Sequence, residues 1–232
     1  MYKFESDADQ RSFRSEVRDI ACHRSAPADA SRGWRDLTEG RSSILDAFTS
    51  SAWSYLVTSR DMPHVPVSLR GLHILERVVT GTYPKVVAAE LHLSQSTVAC
   101  ATKQALACLG ASCVASKVPL ALVALIHCAR SGAHVHMYGS AARLLGCECE
   151  IWATPTPSLA HLLPPVVEEV LNLHIAGKSH REMAVLRGTS SRTIANQLAT
   201  AFERIGSSGR LNVLDFLLSG RRAVQRHAVG VA

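Results

Sequence analysis

A stretch of 46 residues occurs twice in this chain, and the two copies align without a gap at an offset of 96 residues. Residues 67–112 and 163–208 share nine identical positions. The similarity is densest between LHLSQSTVACAT, which starts at residue 91, and RGTSSRTIANQL, which starts at residue 187. Self-similarity at a fixed offset indicates that one small structural unit is carried twice.

The second copy begins with two predicted helices. Apolar residues at helical spacing between Val166 and Ile175 are followed by Gly177, which suits the left-handed conformation after a helix. Ser179 and Glu182 have the spacing of a capping box, in which the hydroxyl and the carboxylate each accept a hydrogen bond from a backbone amide. This spacing predicts that the second helix begins at Ser179.

A third helix follows in both copies. Ser190 is predicted to cap it in the second copy, and Gly206 is predicted to end it. In the first copy Pro84 opens the middle helix at a first-turn position, and Ser94 caps the third helix. Two short helices joined by a tight turn predict a helix-turn-helix in each copy.

Charge is unevenly distributed along the chain. Residues 67–130 and 161–232 each carry a net charge of +4, whereas residues 1–66 and 131–160 each carry −1. Positive charge on the two repeats favours a polyanionic partner, most often nucleic acid, although a solvated basic surface has the same composition. Apolar residues make up 47% of the chain and aromatic residues only 5%, which favours small helical cores.

The parts outside the repeats predict less regular structure. The N-terminal residues lack periodicity and predict a flexible leader, with one short helix near Phe13–Ile20 as an alternative. Strand-like runs predict a β-hairpin before the first repeat and another between the repeats. The predicted order is a leader (1–32), a small helix with a β-hairpin (33–66), the first module (67–130), a β-hairpin with a Pro-rich linker (131–160), the second module (161–221) and a basic tail (222–232).

Cysteine usage and hydropathy predict a cytoplasmic chain. Seven cysteines are an odd number, and no signal peptide precedes them. The longest apolar run, Val118–Ile126, is about half the length that a membrane span requires, so it predicts a buried helix. We therefore expect a reducing, nucleoid-associated location.

The motifs of the two copies resemble the DNA-binding domain of the LuxR/NarL/GerE family, a four-helix module with a central helix-turn-helix. The resemblance rests on LPPVVEEVLNL at 163–173, GKSHREMA at 177–184, SSRTI at 190–194 and IG at 205–206. It implies a mainly α fold with two such modules, double-stranded DNA as the partner and contact with RNA polymerase. The segment order also resembles tandem regulators associated with myxobacteria.

The resemblance implies that the third helix of each module enters the major groove. The family's Lys after Thr-Val is replaced by Ala99 and Ala195, so base contacts fall to Lys103 and Asn196. Phosphate-binding residues are more numerous in the second copy, which is therefore predicted to be the stronger DNA reader. The expected DNA contacts are Lys178, His180, Arg181, Arg187, Ser190, Arg192, Thr193, Asn196, Gln197 and Arg210 in the second copy, and Lys85, Gln95, Thr97 and Lys103 in the first.

The fourth helix of each module pairs across a dimer axis in this family. Both fourth helices of this chain are more apolar than a lone surface helix needs, so they predict an internal pseudo-dimer or a homodimer. The alternative function is a protein-interaction regulator that sequesters another factor through these helices. The predicted pairing residues are Leu120, Val123, Leu125, Val213, Phe216 and Leu217.

Other chemistry is weakly indicated. His134 and His136, with Cys147 and Cys149, could supply four zinc ligands on adjacent strands, but strand alternation explains each pair and Cys-x-Cys lacks the usual knuckle spacing. The Ser and His residues lack the strand-turn-helix context of a catalytic triad. We therefore expect neither enzymatic activity nor a cofactor.

Overall fold

The computed structural model describes residues 4–24, 26–50, 52–62, 64–113, 115–131, 137–157, 159 and 162–219. These residues form a mainly helical protein with a five-stranded antiparallel sheet. Within these ranges no helix is both long enough and apolar enough to cross a membrane.

The helices are α1 (Asp7–Arg24), α2 (Ala30–Thr38), α3 (Leu69–Val79), α4 (Pro84–Glu90), α5 (Gln95–Cys108), α6 (Leu120–Ser131), α7 (Pro165–Ile175), α8 (His180–Leu186), α9 (Ser191–Ile205) and α10 (Arg210–Leu218), with a 3-10 turn at Ala115–Lys117. The strands are β1 (Ala26–Pro27), β2 (Ser43–Ser50), β3 (Trp53–Ser59), β4 (Tyr138–Leu144) and β5 (Cys147–Pro155).

The two predicted hairpins belong to one sheet. β2 and β3 form the first hairpin and β4 and β5 the second, and β3 pairs with β5 from Trp53 opposite Pro155 to Ser59 opposite Cys149. The strand order is β1-β4-β5-β3-β2. The segments predicted separately at 33–66 and 131–160 are therefore joined, because each hairpin offers a free edge of backbone hydrogen-bonding groups to the other.

In residues 4–24 the short helix predicted near Phe13–Ile20 is confirmed as part of the longer α1, but the segment is not the flexible leader that the sequence predicted. Phe13, Val17 and Ala21 of α1 are buried against one face of the sheet. Arg14 donates hydrogen bonds of 2.7 and 2.9 Å to the two carboxylate oxygens of Asp46, which is fully buried in β2. The prediction was wrong because the apolar stripe of α1 is a single row, four residues apart, among polar residues.

α2 and α6 pack against the other face of the sheet. Leu56 and Trp152 point to this face, whereas their strand neighbours point to α1. Every residue of α6 from Leu120 to Ile126 is at most 2% exposed, so the predicted buried helix is confirmed and lies at the centre of the protein. The indole of Trp34 in α2 donates a 2.8 Å hydrogen bond to Glu76 of α3, which ties this layer to the first module.

The repeat fixes the helices of the two modules. α7 and α8 begin and end 96 residues after α3 and α4, which is the offset of the repeat. α9 begins 96 residues after α5 and is one residue longer. Ser94 and Ser190 each accept the predicted capping hydrogen bond, from Thr97 and Thr193, at 3.0 Å. The capping box between Ser179 and Glu182 is also present. The three-helix division of each copy is thus confirmed, whereas the fourth helices differ, since α6 begins at 120 and α10 at 210.

The turn between the second and third helices holds a left-handed residue in both modules. His92 has a φ of 51° and Gly188, its repeat equivalent, a φ of 59°. This conformation costs an L-residue about 1–2 kcal/mol, whereas glycine loses roughly 0.5–1 kcal/mol more in conformational entropy on folding. We expect His92→Gly to stabilise the protein by up to about 1 kcal/mol in urea unfolding. Gly188→Ala should destabilise it similarly, and equal stability of both variants and the parent would contradict this turn geometry.

Candidate nucleic-acid interface

The third helix of the second module has one buried and one exposed face. Ile194 and Leu198 of α9 are at most 2% exposed and pack in the module core. Arg192, Thr193 and Asn196 are exposed. Because residues four apart lie on one side of a helix, Arg192 and Asn196 share a face. We call this face the α9 edge.

Three further cations or potential cations lie at the start of α8. Lys178, His180 and Arg181 are exposed. The Lys178 ammonium is 3.9 Å from a carboxylate oxygen of Glu182. Hydrogen bonds from the Ser179 side chain and backbone hold the pKa of Glu182 below its usual value, so this carboxylate is charged at neutral pH. Glu182 therefore offsets part of the Lys178 charge, while Arg181 has no such partner at this turn.

Arg210 does not lie on the exposed surface, and its predicted contact with DNA is wrong. Arg210 is only 5% exposed. Its Nε donates hydrogen bonds to the carbonyl oxygens of His174 and Ile175 at 3.2 and 2.9 Å, and its Nη2 donates to Ile175 at 2.7 Å. Both carbonyls lie in the last turn of α7, where helix carbonyls lack the usual intrahelical donor, and the His174 carbonyl also accepts a 2.9 Å hydrogen bond from the Gly177 amide. Burial lowers the pKa of Arg210 to about 10, and the guanidinium acts as an internal helix cap.

Two more residues that were predicted to contact DNA interact with the protein itself. Arg187 forms an ion pair with Glu169, and its side chain is 18% exposed. This ion pair joins the end of α8 to the second turn of α7. At the position of Arg187 the first module has the apolar Leu91 instead. Gln197 is partly buried, and its Oε1 is enclosed without a hydrogen-bond partner among the described residues. Neither side chain is freely presented on the α9 edge.

The corresponding helix of the first module has a less polar exposed face. Ala99, Cys100 and Lys103 are exposed on α5, and Val98 and Thr102 are buried behind them. No acidic residue occurs in α5. Ala99 and Cys100 have no group that can form a strong hydrogen bond to a base edge, whereas the α9 edge has Asn196. Lys103 is the main polar group of this face.

Comparisons of the chain with protein-family models, with curated proteins and with solved structures found no match. The geometry of the two third helices and their surroundings therefore has to support any assignment. Ser190 uses its hydroxyl to cap α9. The other predicted DNA contacts that remain exposed are Lys178, His180, Arg181, Arg192, Thr193 and Asn196 in the second module, and Lys85, Gln95, Thr97 and Lys103 in the first.

The two modules touch near the start of α10. Asn212 donates a 2.6 Å hydrogen bond to the carbonyl oxygen of Gly81, in the turn between α3 and α4. The hydroxyl groups of Tyr83 and Ser208 also form a hydrogen bond. These contacts fix the second module against the turn that precedes α4. Sequence analysis missed them because they join residues of different modules.

The fourth helices also contact each other. Val213 of α10 is buried, while Phe216 and Leu217 are partly buried. The His127 imidazole of α6 lies 3.6 Å from the Asp215 carboxylate of α10. Burial lowers the pKa of His127, which favours the neutral imidazole. α6 and α10 thus contact each other within the chain, and their buried apolar residues belong to one core cluster.

The α6 residues predicted to pair, either within the chain or with another copy, are covered by the chain itself. Leu120, Val123 and Leu125 are 2%, 0% and 0% exposed. They lie under α2, β3, β5 and α10. Of the two predicted arrangements, the contact of α6 with α10 agrees with pairing inside one chain, and the described residues leave Leu120, Val123 and Leu125 unavailable to a second chain. The sequence showed that α6 is apolar but not which elements cover it.

The described residues do not supply the four predicted zinc ligands. His134 and His136 lie outside them. Cys149 is buried and its Sγ lies 3.8 Å from the carbonyl oxygen of Leu144, while Cys147 is partly buried on the same strand. Within the described ranges no group of three or more His, Cys, Asp or Glu residues could hold a metal ion.

Proposed function

We propose that the chain is a DNA-binding transcriptional regulator of the LuxR type, in which the second module is the stronger DNA reader. The observation that carries this proposal is the α9 edge: a capped helix-turn-helix presents Arg192, Thr193 and Asn196 to solvent, beside the basic start of α8. A cation, a hydroxyl and an amide on one open helix face are the groups that bind phosphates and base edges.

The proposed mechanism assigns a different task to each helix. α9 enters the major groove, where the Asn196 amide can form two hydrogen bonds to the N6 and N7 of an adenine. Arg192, in the first turn of α9, pairs with a phosphate, which the positive end of the helix dipole also favours. His180 and Arg181 on α8 contact the backbone on the other side of the groove and set the register.

The first module is proposed as the weaker reader. Lys103 of α5 can pair with a phosphate or a guanine, but Ala99 and Cys100 beside it contribute little to base recognition. Because contacts at α10 hold the modules together, α5 and α9 are expected to keep one relative orientation. A single preferred half-site spacing, rather than a range of spacings, follows from this.

The alternative function is less well supported. A regulator that sequesters another factor through apolar fourth helices needs those helices to be accessible. α6 has no exposed apolar face, and Val213 of α10 is buried as well. Ionic strength separates the two functions, since affinity for DNA falls steeply with salt while an apolar interface responds little.

Arg192→Ala is expected to weaken binding to every duplex by about tenfold and to reduce the slope of log affinity against log salt by about 1, because one phosphate contact is lost. A fluorescence anisotropy titration at several salt concentrations, with a duplex selected from a random pool, measures both effects. Arg11→Ala removes the same charge from an exposed site on α1, and it should leave affinity unchanged.

Asn196→Ala is expected to reduce discrimination between the selected duplex and one with a single changed adenine, by about 1–3 kcal/mol. Its affinity for unrelated duplexes should stay the same, because phosphate contacts are intact. Titrations of both variants that overlay the parent curve would exclude α9 as the reading helix.

A further inference from the structure

A cleft of about 720 Å³ lies between the first module and the part of the second module that leads into α10. One wall is α5, with Val98, Ala99 and Lys103, and the other is the segment 208–212 that leads into α10. Tyr83 lines the cleft and is hydrogen-bonded to Ser208 of the opposite wall. The walls are thus held apart at a fixed distance by contacts between the modules.

The lining of the cleft is mainly apolar. Tyr83, Pro84, Ala99 and Leu211 contribute hydrocarbon surface, and Val98 lies buried behind Ala99. The buried Thr102 hydroxyl donates to the Val98 carbonyl oxygen at 2.8 Å, so it is not a free donor at the cleft. Wide apolar clefts are unfavourable when they hold only water, and volumes of about 300–1,000 Å³ with apolar walls and a few polar groups are typical of small-molecule sites.

The charge of the cleft selects one class of ligand. Lys103 is exposed, and no acidic group within ion-pair distance of it occurs in the described part of the chain. The described residues that line the cleft include no Asp or Glu. Arg210 also lines the cleft, but its guanidinium is hydrogen-bonded to α7 carbonyls. The available charge is therefore one ammonium at the edge of an apolar surface.

We propose that this cleft binds a small amphipathic carboxylate, with its hydrocarbon body between α5 and Leu211 and its carboxylate on the Lys103 ammonium. The ligand covers Ala99 and Lys103, the exposed face of α5. If α5 contacts DNA, ligand and DNA compete for this face, so that the first module is released while the α9 edge stays free. This regulatory consequence rests on the proposed function, whereas ligand binding does not.

Isothermal titration calorimetry of the full chain with decanoate and with decanol, each below its aggregation concentration and without DNA, tests the proposal. We expect saturable binding of one decanoate per chain, about tenfold tighter than decanol. Ala99→Trp fills the cleft from an exposed position and should reduce affinity for both ligands at least tenfold. Lys103→Gln should remove the preference for decanoate and leave the affinity for decanol unchanged.

Two matched variants control for nonspecific effects. Ala199→Trp places the same bulk on an exposed position of α9, and Arg11→Gln removes one positive charge far from the cleft; neither should change the titration. Absence of saturable binding, or undiminished binding to Ala99→Trp, would overturn the proposal. Equal affinity for decanoate and decanol in the parent would overturn the assignment of Lys103. A chain that binds decanoate but no duplex would refute the proposed function alone.

Discussion

Arg210→Met is expected to destabilise the protein by about 2–3 kcal/mol, because it removes the hydrogen bonds of a buried guanidinium and leaves the Ile175 carbonyl oxygen without its side-chain donor, whereas the His174 carbonyl keeps the Gly177 amide. Methionine occupies a similar volume, so the loss reports the hydrogen bonds more than a cavity. The Arg210 guanidinium donates to His174 and Ile175 at 2.7–3.2 Å and belongs to a 5% exposed residue. Urea unfolding measures the change as a lower midpoint at an unchanged slope.

Arg192→Met is the matched control, since it removes the same charge from an exposed position. Its effect on stability should stay within about 0.5 kcal/mol, whereas its effect on DNA affinity should resemble that of Arg192→Ala. The two variants thus separate a structural arginine from a DNA-binding one. An Arg210→Met protein with full stability but weakened DNA binding would show that Arg210 is a surface contact, as its sequence position suggested.

The helices of the modules could be predicted from the sequence because their signals are local. Ser94 and Ser190 cap the helices that follow them, and Gly177 and Gly206 take positive φ values of 84° and 71° after the helices that precede them. Each of these signals acts within one turn of the chain. The ungapped repeat doubled the information, since both copies had to give the same helices.

The sheet could not be predicted, because it depends on contacts between distant segments. Each hairpin is encoded locally, for example by the turn at Leu145 and Gly146, whose φ values are 51° and 78°. The pairing of β3 with β5 joins Trp53 to Pro155 across the whole first module. No local pattern specifies which edge a strand will find, so the two hairpins were predicted as separate segments.

The candidate site was predicted only in part, for a related reason. The sequence identifies which side chains are charged, but not whether each one is exposed, forms an ion pair or is buried in the core. Arg192 remains exposed, whereas Arg187 pairs with Glu169, eighteen residues earlier in the chain, and Arg210 caps α7. Repeat comparison held one clue: the first module has Leu91 where Arg187 lies, so this position faces its neighbouring helix.

Gly33→Ala should destabilise the protein by about 2–3 kcal/mol, although helix propensity alone predicts a gain of about 1 kcal/mol in the middle of α2. A Cβ atom at this position would lie 2.2 Å from Cη2 and 2.3 Å from Cζ2 of Trp152. Trp152 cannot move away easily, since it is 3% exposed and its indole donates a 3.2 Å hydrogen bond to Thr58. Thermal or urea unfolding measures the effect.

A double-mutant cycle with Trp152→Leu shows whether the clash is the cause. Trp152→Leu alone should destabilise the protein by about 3 kcal/mol through lost packing, but adding Gly33→Ala to it should cost little, because the ring that the Cβ meets is gone. Additive losses, or stabilisation by Gly33→Ala alone, would contradict the packing of α2 on β5. Since Gly33 precedes the first module and Trp152 follows it, coupling between them in solution requires the two flanking segments to fold as one layer around α6.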